Sequence, residues 1–110
     1  RSGGVAHQQS DVKTFQIGKY EFSPSELIVR LGETTHDLTV KESQLLEYFC
    51  KHPNQILKRD VILKEIWGQD DYFIGRSMDV FISRLRRILQ ADATVQIENI
   101  HKVGFRFKVG

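Results

Sequence analysis

The stretch GRSMDVFISRLRRILQ, residues 75–90, holds four arginines, two serines and a single acid among seven large apolar side chains. A guanidinium presents a rigid fork of N–H donors that fits a phosphate, a carboxylate or the O6/N7 edge of guanine, and a serine hydroxyl serves either side of a hydrogen bond. Placed on a helix at about 100° per residue, Met78, Phe81, Ile82, Leu85, Ile88 and Leu89 fall within one arc of about 120°. Arg76, Ser77, Val80, Ser83, Arg84 and Arg87 take the opposite arc, with Asp79 and Arg86 on a flank. One side is built to seat on a core. The other suits a DNA major groove, where Val80 meets a thymine methyl and arginine reads guanine or phosphate. A plain solvated face is the competing reading, but such faces usually mix Glu with Lys, and this one sets four arginines against one acid. The groove reading requires the arginines to stand clear of the fold.

The charge distribution points the same way. Residues 1–75 carry 9 basic and 11 acidic side chains, hence −2, and residues 76–110 carry 7 and 3, hence +4, which together give the net +2 of the chain. An anionic partner for the C-terminal third follows. The 110 residues, 40% of them apolar, suffice for one domain with a modest core. No apolar run is long enough to span a membrane and no secretory leader is visible, so a cytoplasmic location is expected. The lone Cys50 fits a reducing compartment and reads as a buried thiol between Leu46 and Phe49.

Catalytic chemistry finds no support. The histidines His7, His36, His52 and His101 are scattered, and one cysteine cannot complete a zinc site. Asp70-Asp71 reads as a solvated loop pair, GFRFKVG lacks the spacing of a phosphate-cradling loop, and no nucleophile is paired with a base. The expectation is a non-enzyme without cofactor or metal.

The surrounding elements must position the arginine helix. Residues 1–13, small and polar at their start, read as a disordered linker or expression remnant, leaving 14–110 as the folded domain. Alternation at Phe15/Ile17 and Tyr20/Phe22, the turn SPSE, and LIVRL predict a small antiparallel sheet over residues 14–38. LTVKESQLLEYFCKHPN predicts a helix capped by Thr39 with Glu42 reaching back, buried through Leu45, Leu46, Phe49 and Cys50, and stopped before Pro53. KRDVILKEIWG predicts a second helix with Val61, Ile62, Leu63 and Ile66 inward and Gly68 as its left-handed cap. Trp67 serves equally as a core plug or a partner contact. A seven-residue connection, QDDYFIG, would lead to the arginine helix, longer than a simple helix-turn-helix allows. VQIEN and GFRFKV predict a hairpin with IHKVG at its tip, Phe105, Phe107 and Val109 on one face and Arg106 and Lys108 on the other.

LTVKESQLLEYFCKHPNQILKRDVILKEIWG, RSMDVFISRLRRIL and IENIHKVGFRF together resemble the OmpR/PhoB-type winged-helix effector domain of bacterial response regulators, over about residues 14–109. Arg76-Ser77-Met78-Asp79-Val80, Ser83-Arg84-Leu85-Arg86-Arg87 and Gly104-Phe105-Arg106-Phe107 are its most specific parts. The resemblance implies an α+β winged helix-turn-helix: an N-terminal four-stranded antiparallel sheet, three helices and a C-terminal β-hairpin wing. It implies that the third helix, beginning near Arg76, enters the major groove and the wing tip the neighbouring minor groove. Ser77, Val80 and Arg84 would then face bases, and Arg76, Arg86 and Arg87 would sit nearer the phosphates; Ser83, on the same open arc, is a further DNA-binding candidate. Arg59 would add a phosphate contact at the start of helix two.

The same resemblance implies sequence-specific binding of double-stranded promoter DNA as the output domain of a two-component regulator. A receiver domain would precede it, two copies would lie head to tail on DNA, and RNA polymerase would touch the loop holding Trp67, Gln69, Asp70, Asp71 and Tyr72. Two positions depart from the family pattern. His101-Lys102 replaces a basic residue followed by glycine at the wing tip, leaving either side chain for the minor groove. Lys58 replaces a Ser/Thr cap before Arg59, a loss of about 1 kcal/mol that Asp60 offsets in part through the helix dipole. The alternative from another class is a winged-helix module that binds an acidic protein. Single-stranded RNA binding is disfavoured because Phe105 and Phe107 are needed in the core.

Overall fold

The computed structural model describes residues 13–68 and 72–109, with the backbone alone for 72–75. The linker assigned to residues 1–13 therefore lies outside the described residues apart from Lys13. Four short strands, β1 (Phe15–Ile17), β2 (Tyr20–Ser23), β3 (Ile28–Leu31) and β4 (Thr34–Asp37), pair in sequence order as an antiparallel meander. Their alternation puts Ile17, Tyr20, Phe22 and Val29 into the core.

Helix α1 (Val40–Lys51) begins as the sequence predicts. The Glu42 N–H donates to Thr39 Oγ1 at 3.2 Å and the Thr39 N–H to Glu42 Oε1 at 2.8 Å, so two of the four orphan donors at the helix start are satisfied. It ends at His52, one residue before Pro53.

Strand β5 (Ile56–Lys58) was not expected. It pairs with β7 (Gly104–Val109), which pairs with β6 (Val95–Ile100), so the wing belongs to a three-stranded sheet in the order β5-β7-β6. Helix α2 (Arg59–Trp67) follows directly and ends on Gly68 at φ +81°. Lys58 makes no side-chain cap, as predicted. The wing supplies the missing acceptor instead, because the Arg59 N–H donates to the Val103 carbonyl at 3.1 Å. Val61, expected inward, is 41% exposed, while Ile62 and Leu63 are buried.

Helix α3 spans Tyr72–Ile88, four residues longer at its start than the sequence suggests. Gly75, read as the end of a loop, is helical; an interior glycine costs only about 1 kcal/mol against alanine. The α2–α3 connection is therefore residues 68–71, a length usual for a helix-turn-helix, and the objection based on a seven-residue loop falls. Met78, Ile82, Leu85, Ile88 and Leu89 join Leu45, Leu46, Phe49, Ile62, Ile97, Phe105 and Phe107 in one core. Cys50 packs at its edge, and burial pushes the thiol up to about 12, with Glu47 adding to the shift. No helix among the described residues is long and apolar enough to cross a membrane.

Candidate nucleic-acid interface

The apolar stripe of α3 is buried except for the half-buried Phe81, and the opposite face is open. Arg76, Ser77, Val80, Ser83, Arg84 and Arg87 are all exposed, Val80 at 66%. Burial of Met78, Ile82 and Leu85 fixes the rotation of the helix about its axis, so the chain cannot withdraw this face without exposing core side chains.

The expectation that the arginines stand clear of the fold holds for Arg76 and Arg87 and fails for Arg84 and Arg86, whose guanidinium groups are engaged by the fold although their side chains stay exposed. Arg76 and Arg87 make no ion pair among the described residues. Arg84 is held: Nη1 donates to the Glu42 carboxylate at 3.1 and 3.2 Å, and Nη2 to the Asp37 carbonyl at 2.9 Å. Arg86 donates from Nε to the Ile97 carbonyl at 2.9 Å, stapling α3 to β6. The wheel placed Arg84 on the outer arc correctly, but the position of Glu42 under it is a tertiary fact that helix periodicity does not carry.

Arg59 forms two N–H···O bonds to Asp79, at 2.7 and 2.9 Å, joining the first turn of α2 to α3. Arg59 nevertheless lines a cleft at the junction of α2 and the wing together with Lys102, Val103 and Gly104.

The wing tip is a tight turn closed by the Val103 N–H on the Ile100 carbonyl at 2.9 Å. Both His101 and Lys102 are exposed there. Lys102 has φ +64°, a left-handed conformation that suits glycine and costs other residues roughly 1–2 kcal/mol. The departure from the family pattern thus falls on a strained position. Gly104 begins the return strand against β5, where any Cβ would collide with the Leu57 carbonyl. Arg106, by contrast, faces Glu98 across the sheet at 2.7 Å.

Trp67 is half-buried. Its ring stacks on Phe81 with centroids 5.8 Å apart, and Lys41 Nζ lies 5.9 Å from the ring centroid. Gln69, Asp70 and Asp71 lie outside the described residues, and Tyr72 is described only as backbone of the first turn of α3. The described residues contain no cluster of His, Cys, Asp and Glu suited to a metal ion.

Two further contacts orient the N-terminal sheet on this unit. Asp92, buried after α3, accepts from the Lys19 N–H at 2.8 Å and from the Thr94 N–H and hydroxyl at 2.9 and 2.7 Å. The Thr94 side-chain and backbone bonds, then that of Lys19, hold its carboxyl below the ordinary range. The Ala91 N–H donates to Tyr20 Oη at 3.0 Å.

Residues 32–107 match the family model described as "Transcriptional regulatory protein, C terminal". The chain is 43% identical over 106 residues to the transcriptional regulatory protein RprY of Bacteroides fragilis (strain YCH46), covering 96% of the chain and 44% of that protein. It is 32% identical over 85 residues to the phosphate regulon transcriptional regulatory protein PhoB of Klebsiella pneumoniae, covering 76% and 37% respectively. The chain thus spans less than half the length of these relatives. Among solved structures, the Klebsiella pneumoniae RstA DNA-binding domain in complex with RstA box superposes with a TM-score of 0.72 at 33% identity, over 87% of this chain and 97% of that one.

Proposed function

The chain belongs to the family of C-terminal domains of transcriptional regulatory proteins, a member of its OmpR/PhoB-type winged-helix group, and from that premise we propose that it binds double-stranded DNA sequence-specifically as the output domain of a two-component response regulator. The observation that carries this reading is the open face of α3, with Arg76, Ser77, Val80, Ser83 and Arg87 exposed opposite a stripe in which Met78, Ile82, Leu85, Ile88 and Leu89 are buried. An α-helix fits the major groove, and this face offers hydroxyl, aliphatic and guanidinium groups to base edges and phosphates.

In this reading Ser77, Val80 and Arg84 meet bases, with Ser83 on either bases or backbone. Arg76, Arg86 and Arg87 take phosphates, as does Arg59 from the start of α2. Arg86 is engaged by the Ile97 carbonyl through Nε, so its phosphate contact would use its Nη donors; Arg59, paired with Asp79, would have to exchange partners to reach a phosphate. The wing tip presents His101 and Lys102 to the adjacent minor groove. The turn around Trp67, Gln69, Asp70, Asp71 and Tyr72 is the proposed RNA polymerase contact. A receiver domain is the proposed partner within the longer protein, and two copies are proposed to bind half-sites head to tail. The protein acts without chemistry of its own, in the cytoplasm.

Selection of bound sites from random duplex tests the reading. Enrichment of one half-site, with binding that weakens steeply as salt rises, is the expected result. A protein that enriches no duplex sequence at low salt would instead fit the protein-interaction alternative.

A further inference from the structure

We infer that Glu42 is a positioning residue for base readout, because it fixes which N–H donors Arg84 can present to the duplex. The inference rests on the DNA-binding reading above and goes further, assigning a specificity role to a residue on α1.

Glu42 is the acidic half of the α1 capping box, and its side chain is only 2% exposed. Its place is set by the Thr39 N–H on Oε1 at 2.8 Å. The same carboxylate receives Arg84 Nη1 on both oxygens, while the Asp37 carbonyl, at the end of β4, takes one Nη2–H. A guanidinium carries five N–H donors. The Nε–H and the second Nη2–H have no partner among the described residues, and the side chain remains 44% exposed on the open face of α3. Two donors on neighbouring nitrogens are what a bidentate contact to guanine O6/N7 requires.

A free arginine loses its rotamer freedom when it docks; this one has lost it on folding, held by the β4–α1 junction. Arg84 therefore arrives aimed, and its aim is set by a carboxylate that DNA does not touch. Removing the carboxylate should leave phosphate attraction intact while loosening the choice of base.

The test uses the site selected by the wild-type chain, its single-base-pair variants and a random duplex, with thermal unfolding recorded for each protein. Glu42→Gln is expected to reduce discrimination at one base pair about tenfold, while random-duplex affinity does not fall, since the charge opposing Arg84 is removed. Arg84→Lys retains a cation for Glu42 but lacks the fork, and should lose discrimination at the same base pair; it carries the test if Glu42→Gln does not fold. Thr39→Ala removes the other half of the capping box without touching the Glu42–Arg84 pair, so it should lower Tm and leave discrimination unchanged. The inference is overturned if Glu42→Gln or Arg84→Lys keeps wild-type discrimination at every base pair, which would make the contact a tie between helices and no more. Failure of the wild type to select any site would instead defeat the DNA-binding reading, and this inference with it.

Discussion

Arg59, the first residue of α2, and Asp79 of α3 meet through two N–H···O bonds of 2.7 and 2.9 Å. This fork ties the first turn of α2 to the flank of α3, where Asp79 is the one acid among the described side chains of that helix. Both side chains are substantially exposed, at 38% and 55%, so the pair adds little to stability. Asp79→Ala should lower unfolding free energy by under about 1 kcal/mol. It should also raise affinity for random duplex at low salt, because a negative charge leaves the interface. Chemical denaturation and duplex titration check both parts, and a loss of several kcal/mol would mean that the pair organises the turn itself.

Lys102 sets charge against backbone strain at the wing tip. Lys102→Gly should stabilise the fold by about 1 kcal/mol, since glycine tolerates φ +64°. The same change should make the dependence of log K on log salt shallower by about one, if Lys102 meets a phosphate. The two effects have opposite consequences, so Tm and duplex affinity should move in opposite directions. An unchanged salt slope would remove Lys102 from the interface.

Gly104 is required by close approach, not by turn geometry. A Cβ there would run into the Leu57 carbonyl on the neighbouring strand. Gly104→Ala should destabilise by about 1–3 kcal/mol, as forced overpacking does. It should also weaken duplex binding more than the stability loss alone explains, because β5, the wing and the start of α2 share that contact. Denaturant unfolding together with duplex titration of the folded variant separates these effects.

Much of this was legible in the sequence. The Thr39/Glu42 box, the stop before Pro53 and the Gly68 cap are local signals carried by a few adjacent residues, and each lies where predicted. The two faces of α3 follow from helical period, and burial of Met78, Ile82, Leu85 and Leu89 matches it. Strand β5 was missed because three residues, ILK, are too few to show alternation and run directly into a helix. The early start of α3 was missed because Gly75 looks like punctuation. Glu42 was read only as a cap, since its second partner lies 42 residues away and no spacing rule reaches that far. The Val103 carbonyl that caps α2 is invisible for the same reason.

Acid should loosen the seam between the N-terminal sheet and the end of α3. The Asp92 carboxyl is lowered in the folded state, chiefly by Thr94 and then by the Lys19 N–H. Its contribution is therefore complete above the unfolded aspartate value and is lost as pH falls below it towards the lowered folded value. As pH falls below about 4, the ordinary aspartate value, the wild type should lose more stability than Asp92→Asn, which is already weakened at neutral pH. Parallel unfolding curves with an identical pH response would show that this carboxylate is not the acid-sensitive element.

The central claim is that α3 and the wing bind a duplex, and salt-dependent affinity for random double-stranded DNA tests it most directly. If Arg76, Arg87 and Lys102 each meet a phosphate, log K should fall with log salt at a slope of about −3 or steeper, and Arg76→Ala with Arg87→Ala should flatten it by roughly two. Negligible duplex binding at low salt, or a slope that the double substitution leaves untouched, would contradict the account.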